Sequence, residues 1–204
     1  MTARRSVQFF FGIGSRYSYL AATQLPKLVA ETGARFLWRP LHSRELIARA
    51  GPDPFRAEVE RGQYALSYRS RDAKRWARHY GVPYVEPVWE GVDWNALALA
   101  CIAADRLGAG EAFAAALFAQ CFAQGQPPRN DEELLSVAVS VGLAPGRMND
   151  EAKSEAVAAA HRQTLLDALA AGAFGVPSFL VDDGELFWGQ DRLVLLRTHL
   201  LSGP

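Results

Sequence analysis

The chain has 204 residues, half of them apolar, with 22 Lys plus Arg balanced by 22 Asp plus Glu. That balance removes any global electrostatic case for a nucleic acid or other polyanionic partner. No basic segment leads into an apolar stretch at the N-terminus, and no window of 18 uncharged apolar residues occurs. Neither a secretory signal nor a membrane span is expected. Only Cys101 and Cys121 are present, which fits a reducing, cytoplasmic setting better than a disulfide scaffold.

In chain order, Ser6–Phe11 (SVQFFF) reads as a buried strand. Gly12-Ile13-Gly14 then makes a turn, and Ser15 stands at the start of a helix over 17–32. Leu20, Leu25, Leu28 and Val29 recur near helical spacing. Pro26 lies inside that helix and is expected to kink or split it. Gly33 is a C-terminal stop, and residues 35–40 (RFLWRP) form a second strand. A strand, helix and strand in about 35 residues imply two parallel strands and a right-handed crossover.

After residue 43 the texture changes. Helical patterning runs over 43–50, 55–80, 93–107, 110–124, 130–141 and 145–171, and strand signals are nearly absent. They return at 178–182 and 185–188, with Asp183-Gly184 between them as a hairpin turn. A helix over 190–201 ends the chain. The two strand-bearing ends make one sheet only if the helical block is an insertion. The expected fold is therefore α/β: a thioredoxin-like fold with an inserted all-α helical domain. Its boundaries are 1–42 and 172–204 for the two halves, with 43–171 mainly the insertion.

Three stretches carry a family resemblance: GSRYSYLA at 14–21, YRSRDAKRWARHYGVPY at 68–84, and GAFGVPSFLVDDGELFWGQDRL at 172–193. Together they resemble the 2-hydroxychromene-2-carboxylate isomerases, relatives of the kappa-class glutathione transferases in the disulfide-oxidoreductase branch of the thioredoxin superfamily. The likeness implies glutathione as cofactor and Ser15 as the residue that hydrogen-bonds its sulfur. It implies that Val176, before a cis Pro177, pairs its backbone with the tripeptide. The turn Trp188-Gly189-Gln190-Asp191 would hold the γ-glutamyl end. Asn95 would face a small aromatic carboxylate substrate, and a homodimer is implied as well.

The residue types suit these roles. A helix N-terminus offers free N–H groups and a positive dipole end to an anion such as a thiolate. Serine is too weak an acid to be the nucleophile, but its hydroxyl can donate to a thiolate that a ligand supplies. The bland alternatives are a plain N-cap at Ser15, an ordinary turn at Pro177 and a helix cap at Asp191.

Departures from the relatives bear on the substrate. Arg16 replaces a common proline, and Gly51-Pro52-Asp53-Pro54 replaces a turn containing Gly-Asn, which makes Arg16 and Asp53 candidate substrate contacts. Ile47 stands near the place of a substrate-contacting lysine, and Phe122 replaces a common tryptophan. Arg69, Arg71, Lys74, Arg75 and Arg78 read as a solvated helix face partly paired with Asp72, or as attraction for a carboxylate. The four histidines do not cluster in sequence, so no metal site is expected. Two further readings stay open: a kappa-like glutathione transferase or peroxidase, and a non-catalytic thioredoxin-like binding module.

Overall fold

The computed structural model describes residues 4–52 and 65–202. Four strands form one mixed sheet in the order β2-β1-β3-β4: β1 Ser6–Phe11, β2 Arg35–Pro40, β3 Ser178–Val181 and β4 Leu186–Trp188. β1 pairs parallel with β2 and antiparallel with β3, and β3 pairs antiparallel with β4. α1 (Arg16–Thr32) makes the crossover between the parallel strands.

Between β2 and β3 come α2 (Ser43–Ala50), α3 (Leu66–Tyr80), α4 (Trp94–Arg106), α5 (Gly110–Phe118), α6 (Asp131–Ser140), α7 (Pro145–Ala152) and α8 (Glu155–Ala170). α9 (Leu193–Leu201) follows β4. The expected architecture is thus the one observed.

The side-chain alternation of β1 organises the layers. Phe9 and Phe11 face a large apolar cluster containing Leu20 and Leu25 of α1, Phe113 and Phe118 of α5, and Leu196 of α9. Phe10 faces the opposite side, against Leu46 of α2 and Leu165 and Ala168 of α8. Phe9 stacks on its cross-strand partner Phe179 at 5.1 Å between ring centroids. Phe11 meets Phe118 at 5.6 Å, so the helical block shares the core of the sheet. Each fully buried phenylalanine contributes about 1.5–3 kcal/mol.

Three local expectations change. Pro26 sits inside α1 without splitting it, and α1 runs as one continuous helix from Arg16 to Thr32. The proline lies on the exposed side, and burial of Leu25 and Leu28 outweighs its missing donor. The helix expected over 145–171 breaks at Lys153-Ser154, where Ser154 caps α8 by accepting from the Val157 N–H. The helix expected over 110–124 ends α5 at Phe118 and continues as a π turn, Ala119–Ala123.

Candidate active site

The turn after β1 closes when the Ser15 N–H donates to the Gly12 carbonyl at 2.9 Å. Ser15 then caps α1 in an extended conformation, its hydroxyl oxygen accepting from the Ser18 N–H at 3.1 Å. The Tyr19 N–H donates to the Ser15 carbonyl. The N–H groups of Arg16 and Tyr17 donate to no described residue. Two free donors and the positive helix end therefore converge beside the Ser15 hydroxyl.

Trp94, the first residue of α4, covers this turn. A Cβ on Gly14 would lie 1.8 Å from Trp94 Cζ3, so only glycine allows the indole to rest there. Trp89 backs Trp94 at 4.4 Å between centroids. The π turn places Phe122 between Tyr19, at 5.2 Å, and Trp89, at 5.6 Å. π turns recur at functional sites. Trp94 escaped the sequence reading, although Asp93, which caps α4, announces a helix that starts on this tryptophan.

Arg16 is buried, 8 % exposed, and its Nη2 lies 2.8 Å from Glu86 Oε1. Tyr84 donates its hydroxyl to Glu86 Oε2 at 2.6 Å. The Tyr17 hydroxyl donates to Asp72 of α3 at 3.0 Å, and the Tyr19 hydroxyl to the Pro83 carbonyl at 2.6 Å. Burial, reinforced by the adjacent carboxylates, pushes the Tyr17 and Tyr84 phenols up, so both stay protonated donors. Arg71, Lys74, Arg75 and Arg78 lie on the exposed face of α3.

Val176-Pro177 is a cis peptide bond. The β1–β3 ladder ends at the pair Phe10–Ser178, so the cis-proline loop lies just beyond the end of β1 that leads into the Gly12–Ser15 turn. Neither the N–H nor the carbonyl of Val176 bonds any described residue. Gly189, at φ 106°, donates its N–H to the Pro177 carbonyl at 2.9 Å. This joins the turn after β4 to the cis-proline loop. A side chain would be strained at that φ.

Tyr80 donates its hydroxyl to the Gln190 carbonyl at 3.2 Å, and burial together with the Asp191 charge pushes its pKa up to about 12. Gln190 is buried, while Asp191 borders an open groove with Trp76, Tyr80 and Arg197. Trp188 is half-exposed and packs on Phe174 at 4.8 Å.

Two candidates lie elsewhere. Asn95 borders a separate cavity of about 210 Å³ with Leu99, Leu134, Met148 and Lys153. Asp53 lies outside the described residues. Cys101 and Cys121 are buried in the core, and burial pushes the Cys121 thiol up to about 12. His42 and His161, far apart in sequence, come close enough for the His42 ring to lower the proton affinity of His161, and burial is the largest cause of the lowering at both. Among the described residues no three His, Cys, Asp or Glu side chains group as metal ligands.

Residues 6–201 match the DSBA-like thioredoxin domain. A 2-hydroxychromene-2-carboxylate isomerase of Sphingobium xenophagum is 34% identical over 200 residues, covering 97% of this chain and 99% of that protein. The Pseudomonas putida enzyme of the same name is 28% identical and covers 95% of this chain and 93% of its own. A solved 2-hydroxychromene-2-carboxylate isomerase superposes with a TM-score of 0.83 at 24% identity, covering 97% of this chain and 95% of the other. The chain thus belongs to the 2-hydroxychromene-2-carboxylate isomerases, within the DSBA-like thioredoxin family.

Proposed function

We propose that the protein is a glutathione-dependent isomerase that interconverts 2-hydroxychromene-2-carboxylate and trans-o-hydroxybenzylidenepyruvate, or a closely related aromatic acid. The observation that carries this reading is the Ser15 hydroxyl at the N-terminus of α1, beside two N–H groups that have no partner among the described residues and with no cysteine in the turn. Such a site receives an anion and does not supply a nucleophile.

The residues present fit glutathione. Val176 offers a backbone N–H and carbonyl, unbonded among the described residues, for an extended peptide. Asp191 borders an open groove one turn away and can accept an α-ammonium. Gly189 and Gln190 set that turn, and Trp188 flanks it. When bound, glutathione supplies a nucleophilic thiol for reversible covalent catalysis of rotation about a conjugated double bond.

The chain's own residues act around that chemistry. Ser15 donates its hydroxyl hydrogen to the anionic sulfur position while its oxygen keeps the Ser18 N–H. The Arg16 and Tyr17 N–H groups and the helix dipole add positive potential there. Trp94, Trp89 and Phe122 wall off water and offer apolar surface to an aromatic acid. Asn95 enters the reading through the resemblance, and it opens on the cavity between α4, α6 and α7.

The test pairs calorimetric titration of glutathione with a spectrophotometric assay of the hydroxychromene acid. Micromolar-to-millimolar binding and turnover that requires glutathione are expected. Turnover that is equally fast without glutathione, or a chain that does not bind it, would overturn the reading.

A further inference from the structure

We propose that Arg44, lying over the ring of Trp94, forms a carboxylate-binding subsite beside Ser15. This rests on the isomerase reading for its ligands, and it assigns Arg44 a role in specificity. The Arg44 guanidinium carbon lies 5.7 Å from the centroid of the Trp94 ring. That ring rests on Gly14, the residue before Ser15. Arg44 lies at the same corner. It follows Ser43, whose Cβ would be 3.0 Å from a Cβ on Gly12. The first turn of α2 therefore packs on the turn that presents Ser15, and its arginine lies over the tryptophan that covers that turn.

The charge at this position is open to a ligand. Arg44 makes no hydrogen bond or ion pair with any described residue. The acids near it are engaged elsewhere. Glu45 lies 3.5 Å from Arg49. Asp93 Oδ1 accepts from the Asn95 and Ala96 N–H groups. Other arginines of the fold have carboxylate partners: Arg16 with Glu86, Arg39 with Asp167, Arg106 with Glu151. Arg44 is held by a ring instead of an acid. The cation–π contact favours this position of the guanidinium, and its N–H groups, without a partner among the described residues, are available for two parallel bonds to a carboxylate.

Two carboxylates can reach such a subsite: that of the aromatic acid and the glycine carboxylate of glutathione. The experiment separates them with Arg44→Ala and Arg44→Lys. Arg44 is exposed, so the thermal midpoint of both variants is expected to match the wild type. If the aromatic acid is the ligand, Arg44→Ala lowers kcat/KM for it about tenfold and leaves the glutathione Kd unchanged. Arg44→Lys, which keeps the charge but loses the planar fork, recovers only part of the loss.

If the glycine carboxylate is the ligand, Arg44→Ala weakens glutathione about tenfold and leaves γ-glutamylcysteine, which lacks glycine, unaffected. Either pattern supports the subsite. Unchanged kcat/KM together with an unchanged glutathione Kd overturns it. Tryptophan fluorescence quenching by o-hydroxycinnamate, compared with its amide, provides a readout that does not need turnover. A wild type that shows Arg44-dependent quenching but no isomerase activity would sink the proposed reaction and keep the subsite. Quenching that is equal for acid and amide, and equal in Arg44→Ala, would count against the subsite even in an active isomerase.

Discussion

Arg16 Nη2 and Glu86 Oε1 lie 2.8 Å apart, with side-chain exposures of 10 % and 25 %, and join the start of α1 to the segment leading into α4. Tyr84 holds the other oxygen of the same carboxylate. The pair sits one residue past Ser15, so it fixes the floor of the candidate site. The Arg16 Nη1 is buried without a partner among the described residues. Removing Glu86 would leave a nearly buried cation uncompensated. Glu86→Gln is expected to cost about 2–3 kcal/mol in urea unfolding, below the ~3–5 of a fully buried pair. Arg16→Met in the Glu86→Gln background should recover part of that loss, because the desolvated charge is gone. A double variant no more stable than Glu86→Gln would refute the buried-charge account.

Gly14 and Trp94 are coupled sterically. Gly14→Ala places a methyl group 1.8 Å from Trp94 Cζ3, and the indole must leave. The expected cost is about 1–3 kcal/mol of overpacking, with a change in tryptophan emission. Trp94→Ala makes room for that methyl, so adding Gly14→Ala to Trp94→Ala should cost much less than adding it to the wild type. Additive losses in the four-way cycle would show that the two residues do not touch.

The two serines of the motif should respond in opposite ways. Ser15→Ala removes the cap bond to the Ser18 N–H, worth about 1 kcal/mol of stability. It also removes the hydroxyl that, in the proposed reading, donates to the glutathione sulfur, so turnover should fall by roughly 10–100-fold. Ser15→Asp keeps a cap acceptor but repels an anion. It should preserve stability and still abolish turnover. Ser18 is fully buried, and its hydroxyl has no partner among the described residues. Ser18→Ala should leave the protein as stable or more stable. Loss of activity in Ser18→Ala with full activity in Ser15→Ala would reverse the assignment.

The sheet was legible because its signals are local. Three consecutive phenylalanines, the Gly12–Gly14 turn, the Asp183-Gly184 hairpin and the spacing of Leu20, Leu25 and Leu28 each impose one element. Ser15 and Val176-Pro177 also lie at the ends of such elements, but locally they read as a plain cap and an ordinary turn, and their candidate roles come from the family resemblance. Trp94 was not legible, because its role comes from contact with a glycine 80 residues earlier. The same holds for Glu86, whose meaning depends on Arg16, and for Tyr80, whose hydroxyl reaches Gln190 across 110 residues. Periodicity reports which face of a helix is buried but not what it is buried against. The helix over 145–171 was overextended because Lys153 and Ser154 break it without a glycine or proline.

His42 and His161 should make the fold acid-sensitive. His42 begins α2 and His161 lies in α8, and the Nε2 atoms of both are buried without partners among the described residues. Burial lowers both pKa values. The Glu45 carboxylate near both rings, and Asp93 near His42, favour the imidazolium; Arg44 disfavours it at His42, and Arg162 and the His42 ring disfavour it at His161. Burial is the largest cause for each, and the net direction is down. In the unfolded chain both titrate near pH 6.5. Between that value and the folded-state values the unfolded chain binds more protons. Stability is therefore full above about pH 6.5 and falls as the pH drops below it, levelling once the folded rings are also protonated. Asp182 and Asp183 have lowered pKa values, so their own loss belongs to a separate, more acidic window, below about pH 4. Urea midpoints at pH 7.5, 6.0 and 5.0 are expected to decline in the wild type and to decline less in His161→Leu, which has no ring to protonate. Equal slopes in the two proteins would remove His161 from the account, and a flat wild-type profile would remove both histidines.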